Sequence, residues 1–173
     1  MKLSAAGLEL LKRAEGFRNR TYLDVAGFPT IGYGHRLLSH EAFTDGIDEA
    51  RAAGILASDV QEAELAVERL VRVELTQGQF DALTDFCFNL GAGRLASSTL
   101  LRTLNDGRYD AARQQLLRWD MAGGGHNAGL KARREAEFEL WGGDAAKKET
   151  ADEPLPAVHL REKAGPPRRL PRR

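Results

Sequence analysis

The pattern of apolar residues near the start of the chain predicts an amphipathic first helix that ends at an acidic residue. Leu8 and Leu11 lie three residues apart, and Glu15 follows four residues later on the same helical face. Ser4 is a suitable N-cap, so the helix is expected to run through about Ala14. Glu15 therefore lies at the edge of a buried face, where partial loss of hydration favours the protonated form of a carboxyl group.

The next segment, residues 17–35, has the composition of short antiparallel strands, because β-branched and aromatic residues are interrupted by glycine and proline. A hairpin that turns at residues 25–27 would bring Asp24 close to Thr30. Asp24 itself lies in the turn, where water can keep a carboxylate ionised. The glycines on either side of Tyr33 predict close backbone approach or unusual dihedral angles.

A long amphipathic helix is predicted between the strand segment and the second half of the chain. Before it, a short helix over residues 47–53 is expected to end at Gly54. Ser58 and Gln61 then have the spacing of a capping box, and a one-sided apolar pattern follows. A helix over about residues 58–74 would join the two parts of the molecule.

The second half of the chain has the pattern of a helical bundle around one buried helix. Thr76 and Gln79 repeat the capping-box spacing, and residues 80–90 are apolar around much of a helical surface. Cys87 lies in this run, so a buried free thiol is expected rather than a catalytic one. Three further helices are predicted, at about residues 98–104, 109–119 and 130–141.

Charge is distributed unevenly along the 173 residues, although the formal net charge is zero. Residues 1–142 carry 17 Lys and Arg against 20 Asp and Glu, whereas residues 143–173 carry 8 against 5. The acidic balance of the larger part argues against a nucleic-acid-binding surface. A composition of 42% hydrophobic and 29% charged residues is typical of a soluble globular protein.

Residues 143–173 are expected to form a disordered tail rich in proline and arginine. Five prolines fall within residues 154–171, and few large apolar side chains accompany them. The basic end, residues 168–173, could contact anionic wall polymers or lipid head groups. A solvated and dispensable extension is the other interpretation.

The two carboxyl groups near the start of the chain have the character of an acid/base pair for glycosidic bond cleavage. In this interpretation Glu15 is the general acid, and Asp24 and Thr30 hold the attacking water. A single glutamate at a helix end is more often a solvated cap, so the hypothesis depends on the whole set. The sequence has no cluster with metal-ligand spacing and no phosphate-binding glycine loop, so we expect no metal and no cofactor.

The motifs around these residues resemble those of the phage-type lysozymes, the family of the phage T4 endolysin. The three residues have the family's spacing within the motifs EGFR, YLDVAG and TIGYGH. The chain also resembles the helical lobe of this family. The similar motifs occur in the same order and are FCFNLGAG, SSTLLRTLNDG, AARQQLLRW and GLKARREAEFELW. The resemblance covers roughly residues 3–142, and it implies that Glu15, Asp24 and Thr30 are the catalytic set.

The resemblance also implies a fold. It is α+β and mainly α, with a small antiparallel β-lobe and a helical lobe that are joined by a long helix and separated by the active-site cleft. In a catalytic domain of residues 1–142, the β-lobe spans about 15–57 and the linking helix about 58–74. The helical lobe spans about 76–142 and includes the N-terminal helix.

The activity implied is that of an endolysin, which hydrolyses the β-1,4 bond between N-acetylmuramic acid and N-acetylglucosamine with inversion. A lytic transglycosylase and an inactive wall-binding relative are the alternatives. The implied partner is the peptidoglycan glycan strand, without nucleic acid or stable membrane insertion, and a monomer is expected. The start of the chain lacks the apolar run of a signal peptide, so we expect synthesis in the host cytoplasm and release to the wall through a holin.

Several further residues receive roles from the resemblance. Phe88, Asn89 and Asn127 are expected to contact substrate, although core packing of Phe88 and helix-end capping by the two asparagines are equally compatible with the pattern. His35 is expected to be a structural histidine near the site, paired with an acid, rather than a site residue. Arg36 stands where the T4-like pattern has an apolar residue that contacts sugar.

Overall fold

The computed structural model describes the backbone of residues 1–151 and the side chains of residues 1–143. In this range the chain forms a three-stranded antiparallel sheet, a two-stranded ribbon and eight helices. In chain order the elements are α1 (Ala5–Glu15), β1 (Arg18–Leu23), β2 (Pro29–Gly32), β3 (His35–Arg36), α2 (Glu49–Asp59), α3 (Gln61–Leu70), α4 (Gln77–Leu90), α5 (Ala92–Ser97), α6 (Thr99–Asn105), α7 (Tyr109–Leu116), β4 (Met121–Ala122), β5 (Gly125–His126) and α8 (Ala128–Ala151). The expected class, α+β and mainly α with a small antiparallel sheet, is confirmed.

The predicted hairpin is present in the three-stranded sheet, whose order is β1-β2-β3. Tyr22 pairs with Thr30 and Leu23 pairs with Pro29, so the chain turns through the residues that follow Leu23. Asp24 is the first residue of this turn, and its backbone N–H donates to the carbonyl of Phe28 at 2.9 Å. The turn therefore fixes Asp24 directly beside the end of β2.

The glycines around Tyr33 have the dihedral angles that the sequence predicts. Gly32 has a φ of 65° and Gly34 a φ of 86°, a region that side chains rarely adopt. A Cβ atom on Gly32 would lie only 3.2 Å from side-chain atoms of Ile47 and Ala52. Glycine at this position therefore lets β2 approach α2 closely, while Tyr33 is buried in the core.

The central buried helix is α4, as predicted. It packs against α1, α3 and α8, and Phe80, Leu83 and Phe86 are buried on it. The same helix also buries two carboxylates, Asp81 and Asp85. Buried charges need partners, and these two carboxylates connect α4 to α1 and α8.

The start of α1 is fixed to α4 through Asp81. Ser4 caps α1, because its hydroxyl accepts from the backbone N–H of Gly7 at 3.2 Å, as the sequence predicts. The backbone N–H of Ser4 donates to Asp81 at 3.0 Å, and the Ser4 hydroxyl also donates to this carboxylate. This contact fixes the start of α1 on the core.

The predicted short helix and linking helix have the wrong boundaries. Asp48 caps α2 by accepting from the N–H of Arg51 at 2.8 Å, and α2 continues past Gly54 to Asp59. The predicted capping box at Ser58 is absent, because the Ser58 hydroxyl donates instead to the carbonyl of Gly54. A glycine inside a helix costs only about 1 kcal/mol, and burial of apolar residues on α2 outweighs that cost.

The linking helix is also shorter than predicted, since α3 ends at Leu70 rather than near residue 74. The side chain of Asn105 caps the C-terminal end of α3. Its amide nitrogen donates to the carbonyl of Leu70, and its oxygen accepts from the N–H of Arg72. A side chain more than thirty residues away thus satisfies the backbone groups at the helix end.

The last helix, α8, is longer than the predicted 130–141. It begins at Ala128, where Asn127 accepts from the N–H of Leu130 at 2.9 Å, and it continues to Ala151. The predicted disordered tail begins at residue 143, whereas the backbone of residues 143–151 continues α8. No proline lies within residues 128–151 to interrupt the helix. The rest of the predicted tail, residues 152–173, lies outside the described residues.

Candidate active site

Glu15 lies where the end of α1 meets the three-stranded sheet. Gly16 ends the helix with a φ of 72°, and the chain then turns into β1. The Glu15 side chain is 25% exposed, and its Oε2 atom lies beside the turn between β2 and β3. A Cβ atom on Gly34 would be 3.8 Å from that oxygen, so the glycine leaves space next to the carboxyl group.

The other oxygen of Glu15 accepts a hydrogen bond from Arg133. The Arg133 Nη1 atom lies 2.8 Å from Glu15 Oε1. The sequence predicts partial desolvation, which favours a protonated carboxyl group, whereas the structure also places a guanidinium group of α8 in contact with Glu15. The sequence pattern placed Glu15 at the edge of the core correctly, but the nearest partner at that edge is charged.

Arg133 is itself held by Asp85 in a buried, two-pronged ion pair. Its Nε and Nη2 atoms donate to the two Asp85 oxygens at 2.8 and 2.9 Å, and the two side chains are 7% and 0% exposed. Burial lowers the pKa of Arg133, but Asp85 and Glu15 outweigh this effect and the pKa is raised overall. Asp85, Arg133 and Glu15 thus connect α4, α8 and α1 in one chain of charge-assisted hydrogen bonds.

Asp85 and Arg133 are site residues that sequence reasoning missed. The weak signals were a carboxylate within the apolar run of α4 and a pair of arginines near the start of the last helix. A charge at a position that the helical period places in the core needs a buried partner. The sequence alone does not say which of the 25 Lys and Arg residues that partner is.

A second buried ion pair lies next to the first. Arg134 Nη2 is 2.7 Å from Glu137 Oε1, and both side chains are fully buried. Burial, and then a hydrogen bond with Asp85, raise the pKa of Glu137 well above its usual range. A protonated Glu137 can donate to Asp85, which gives one of its carboxyl oxygens a hydrogen-bond partner. Arg134 also donates to the side-chain oxygen of Asn89 at 3.1 Å.

Asp24 is held in its turn by three hydrogen-bond donors. Its Oδ1 atom accepts from the backbone N–H groups of Ala26 and Phe28 at 2.8 and 2.9 Å, and its Oδ2 atom lies 2.8 Å from Arg36 Nη2. The N–H of Phe28 lowers the pKa of Asp24 most. Partial desolvation opposes this, and Ala26 and Arg36 lower the pKa further, so that the net shift is downward. The ionised state that the sequence predicts for Asp24 agrees with these contacts.

Thr30 shares a hydrogen-bond acceptor with Asp24. The Thr30 hydroxyl donates to the carbonyl of Phe28 at 2.9 Å, and the backbone N–H of Asp24 donates to the same oxygen at 2.9 Å. Thr30 is only 2% exposed, so its hydroxyl has a fixed direction. The hairpin therefore brings these two predicted residues together, through Phe28.

Two of the three predicted substrate-binding residues lie with Glu15. A cavity of about 740 Å³ between α1, α8 and the β4–β5 ribbon is lined by Glu15, Asn89, Asn127 and Arg133. Phe88 lies elsewhere, on a smaller cavity of about 260 Å³ beside Asp59 and Glu62 on α2 and α3. Asn127 caps α8 through its oxygen, so the capping interpretation holds for that atom. Contact of these three residues with substrate stays a prediction.

His35 lies between two carboxylates and connects β3 to α2. Its Nδ1 atom is 2.9 Å from Asp59 and its Nε2 atom 2.9 Å from Glu41, and the side chain is 12% exposed. Burial lowers the pKa of His35, but the two carboxylates outweigh it and the net shift is upward. These contacts are those of the ion-paired structural histidine that the sequence analysis favours. Within the described residues, no group of His, Cys, Asp and Glu is arranged to hold a metal ion.

Comparison with known proteins identifies relatives of this chain. The family model described as phage lysozyme matches residues 12–137. An endolysin of Bacillus phage B103 is 43% identical over 143 residues, which is 82% of this chain but 54% of that protein, so this chain spans about half its length. A solved P22 lysozyme mutant is 39% identical with a TM-score of 0.76, covering 82% of this chain and 98% of that one. The muramidase domain of SpmX from Asticaccaulis excentricus is 37% identical with a TM-score of 0.73, covering 81% and 97%. The chain therefore belongs to the phage lysozyme family.

Proposed function

We propose that this protein is an endolysin that hydrolyses the β-1,4 bond between N-acetylmuramic acid and N-acetylglucosamine in peptidoglycan. The observation that carries the proposal is the position of Glu15, which lines a cavity while Asp85 and Arg133 fix its carboxyl group. Membership of the phage lysozyme family supports it, as does the similarity to a protein described as a muramidase domain.

Glu15 is the proton donor in this mechanism. Arg133 occupies Oε1, so Oε2, on the side of Gly34, is the oxygen that carries the proton to the glycosidic oxygen. As the bond breaks, the sugar gains oxocarbenium character and Glu15 becomes a carboxylate. The guanidinium of Arg133 stabilises that carboxylate through a charge-assisted hydrogen bond.

Asp24 and Thr30 hold the water that attacks the sugar. The Thr30 hydrogen is donated to Phe28, so the hydroxyl oxygen can only accept from a water molecule. The water then donates one hydrogen to Thr30 and the other to Asp24, which leaves a lone pair directed at the anomeric carbon. Asp24 takes the proton as the new bond forms, and the configuration inverts. Inversion requires carboxyl groups about 6.5–9.5 Å apart, against about 5–5.5 Å for retention.

Analysis of the products from purified peptidoglycan tests this function. Hydrolysis with wild-type protein is expected to produce one new reducing sugar for each bond cleaved, because water is the acceptor. A lytic transglycosylase would produce 1,6-anhydro sugar ends instead, since it cleaves the same bond without water. Reduction of the digest with borohydride followed by mass spectrometry separates the two products. Anhydro ends, or no new ends at all, would contradict the proposal.

We further propose that the protein acts as a monomer on the wall, after a separate holin has opened the membrane. No helix among the described residues has both the length and the apolar character to cross a bilayer. Glu15 at the end of α1, Asp24 and Thr30 of the hairpin and Arg133 of α8 all belong to one chain, so a second copy is not needed to complete the site. A protein that lyses cells equally well with and without a co-expressed holin would contradict this route.

A further inference from the structure

Arg36 contacts the turn that holds Asp24, one of the two proposed water-directing residues. It lies opposite Thr30 in the pairing of β2 with β3 and is 59% exposed. Its Nη2 atom is 2.8 Å from Asp24 Oδ2, and the guanidinium carbon lies 4.6 Å from the ring centroid of Phe28. The side chain therefore bridges a carboxylate and an aromatic ring that belong to the same turn.

We propose that Arg36 is a positioning residue for Asp24, which restricts the attacking water to a single site on the carboxylate. The proposal rests on the proposed function, since it concerns the water of that reaction. A contact of this kind is absent from the T4-like sequence pattern, which has an apolar residue at this position. Arg36 thus gives this chain a charged contact where the pattern implies a contact with sugar.

The number of acceptor sites on Asp24 supports the proposal. An ionised carboxylate has about four lone-pair sites. The backbone N–H groups of Ala26 and Phe28 occupy the two sites of Oδ1, and Arg36 occupies one of the two sites of Oδ2. One site remains, and it belongs to the oxygen that faces Arg36. Without Arg36 both sites of Oδ2 would be open, so a water molecule could bind this oxygen in two directions.

The contact of Arg36 with the Phe28 ring also limits where a water molecule can bind Asp24, because it fixes the position of the guanidinium group. The planar guanidinium lies over the ring, so its N–H groups point in fixed directions. Phe28 also supplies the N–H that binds Asp24 and the carbonyl that binds Thr30. Arg36 is the only charged side chain in the described range that is paired with Asp24. Its removal is therefore expected to change both the orientation and the titration of this carboxyl group.

The experiment compares Arg36→Gln and Arg36→Lys with a matched control, Arg18→Gln. Arg18 is an exposed arginine of the same sheet, and its guanidinium also lies 4.6 Å from a ring centroid, that of Tyr22. In the described part of the chain it forms no ion pair with a carboxylate. The readouts are kcat and KM on soluble peptidoglycan fragments across pH, and the titration of the Asp24 carboxyl carbon by ¹³C NMR without substrate.

Arg36→Gln is expected to lower kcat by about 10- to 100-fold with little change in KM, because misplacing a reacting group mainly affects the chemical step. The acid limb of the pH profile and the NMR titration of Asp24 should both move to higher pH. Arg36→Lys should restore the titration, since it keeps the charge, but only part of kcat, since it loses the planar contact. Arg18→Gln should behave as wild type.

Other outcomes separate failure of this proposal from failure of the proposed function. If wild type hydrolyses peptidoglycan and Arg36→Gln changes only KM, Arg36 is a sugar contact and the positioning role is wrong. If Arg36→Gln matches Arg18→Gln in every readout, Arg36 has no role in the reaction. If wild type has no activity, the proposed function fails, and the role of Arg36 in that reaction fails with it, even where the NMR titration moves as expected.

Discussion

Glu15→Gln is expected to lower the rate of peptidoglycan hydrolysis by about 10²- to 10⁴-fold, the usual contribution of a general acid. The glutamine oxygen can still accept from Arg133, so the geometry at the end of α1 is retained. An amide has no acidic proton, however, and the leaving sugar must then depart without protonation. The measurement is the initial rate of turbidity loss of purified wall at equal protein concentrations.

A matched control for this variant exists on the same helix. Glu9→Gln changes an exposed glutamate of α1, whose one ion pair among the described residues is with Lys12, three residues later. It should hydrolyse wall at the wild-type rate. Thermal unfolding of both variants shows whether α1 is intact. If Glu15→Gln retains a rate within twofold of wild type, Glu15 is not the proton donor.

Asp85→Ala is expected to lower the free energy of unfolding by about 3–5 kcal/mol, the cost of removing one partner of a buried ion pair. The guanidinium of Arg133 would stay in the core, with Glu15 as its remaining ion-pair partner. Glu137 would also lose the carboxylate to which it donates. Activity should fall as well, because Arg133 would lose the two hydrogen bonds that fix its position beside the proton donor. Urea unfolding followed by circular dichroism measures the stability change.

Asp106→Ala provides the comparison for this prediction. Asp106 also forms an ion pair with an arginine, Arg108, at 2.8 Å, but these side chains are 54% and 61% exposed. An exposed pair contributes about 0–1 kcal/mol, so this variant should unfold almost as wild type does. Equal losses in the two variants would mean that the buried position of Asp85 gives it no special role.

Local signals in the sequence predicted the sheet and the residues that it carries. The turn after Leu23, the positive φ angles around Tyr33 and the N-cap at Ser4 each depend on residues within a few positions of one another. Asp24 and Thr30 are only six residues apart, so a hairpin is sufficient to bring them together. The part of the site that forms locally was therefore predictable.

Contacts between distant segments were not predictable in the same way. Arg133 is 118 residues from Glu15 and 48 from Asp85, and no local pattern specifies which arginine reaches which carboxylate. The end of α3 depends on Asn105, thirty-five residues beyond Leu70, which is why the linking helix was predicted too long. Charged residues at buried positions of α4 indicate that oppositely charged partners exist. Which residues these partners are depends on how the helices pack.

The role of Arg36 was predictable only in part, between the local contacts of the hairpin and the contacts of distant segments. The sequence shows that it departs from the T4-like pattern, but its contact with Asp24 depends on how β3 pairs with β2. Thr30 and Arg36 are opposite each other in that pairing, so the long side chain reaches the turn before β2. Once the register of a sheet is known, such cross-strand contacts follow from it.

The configuration of the first sugar released tests the central claim most directly, because it reports from which face water attacks. Wild-type protein acting on a soluble β-1,4 glycan fragment should release the α-anomer first, as seen by ¹H NMR before mutarotation. That result follows if Asp24 and Thr30 direct water to the face opposite Glu15. Release of the β-anomer first would mean retention, and would contradict the account of how this site works.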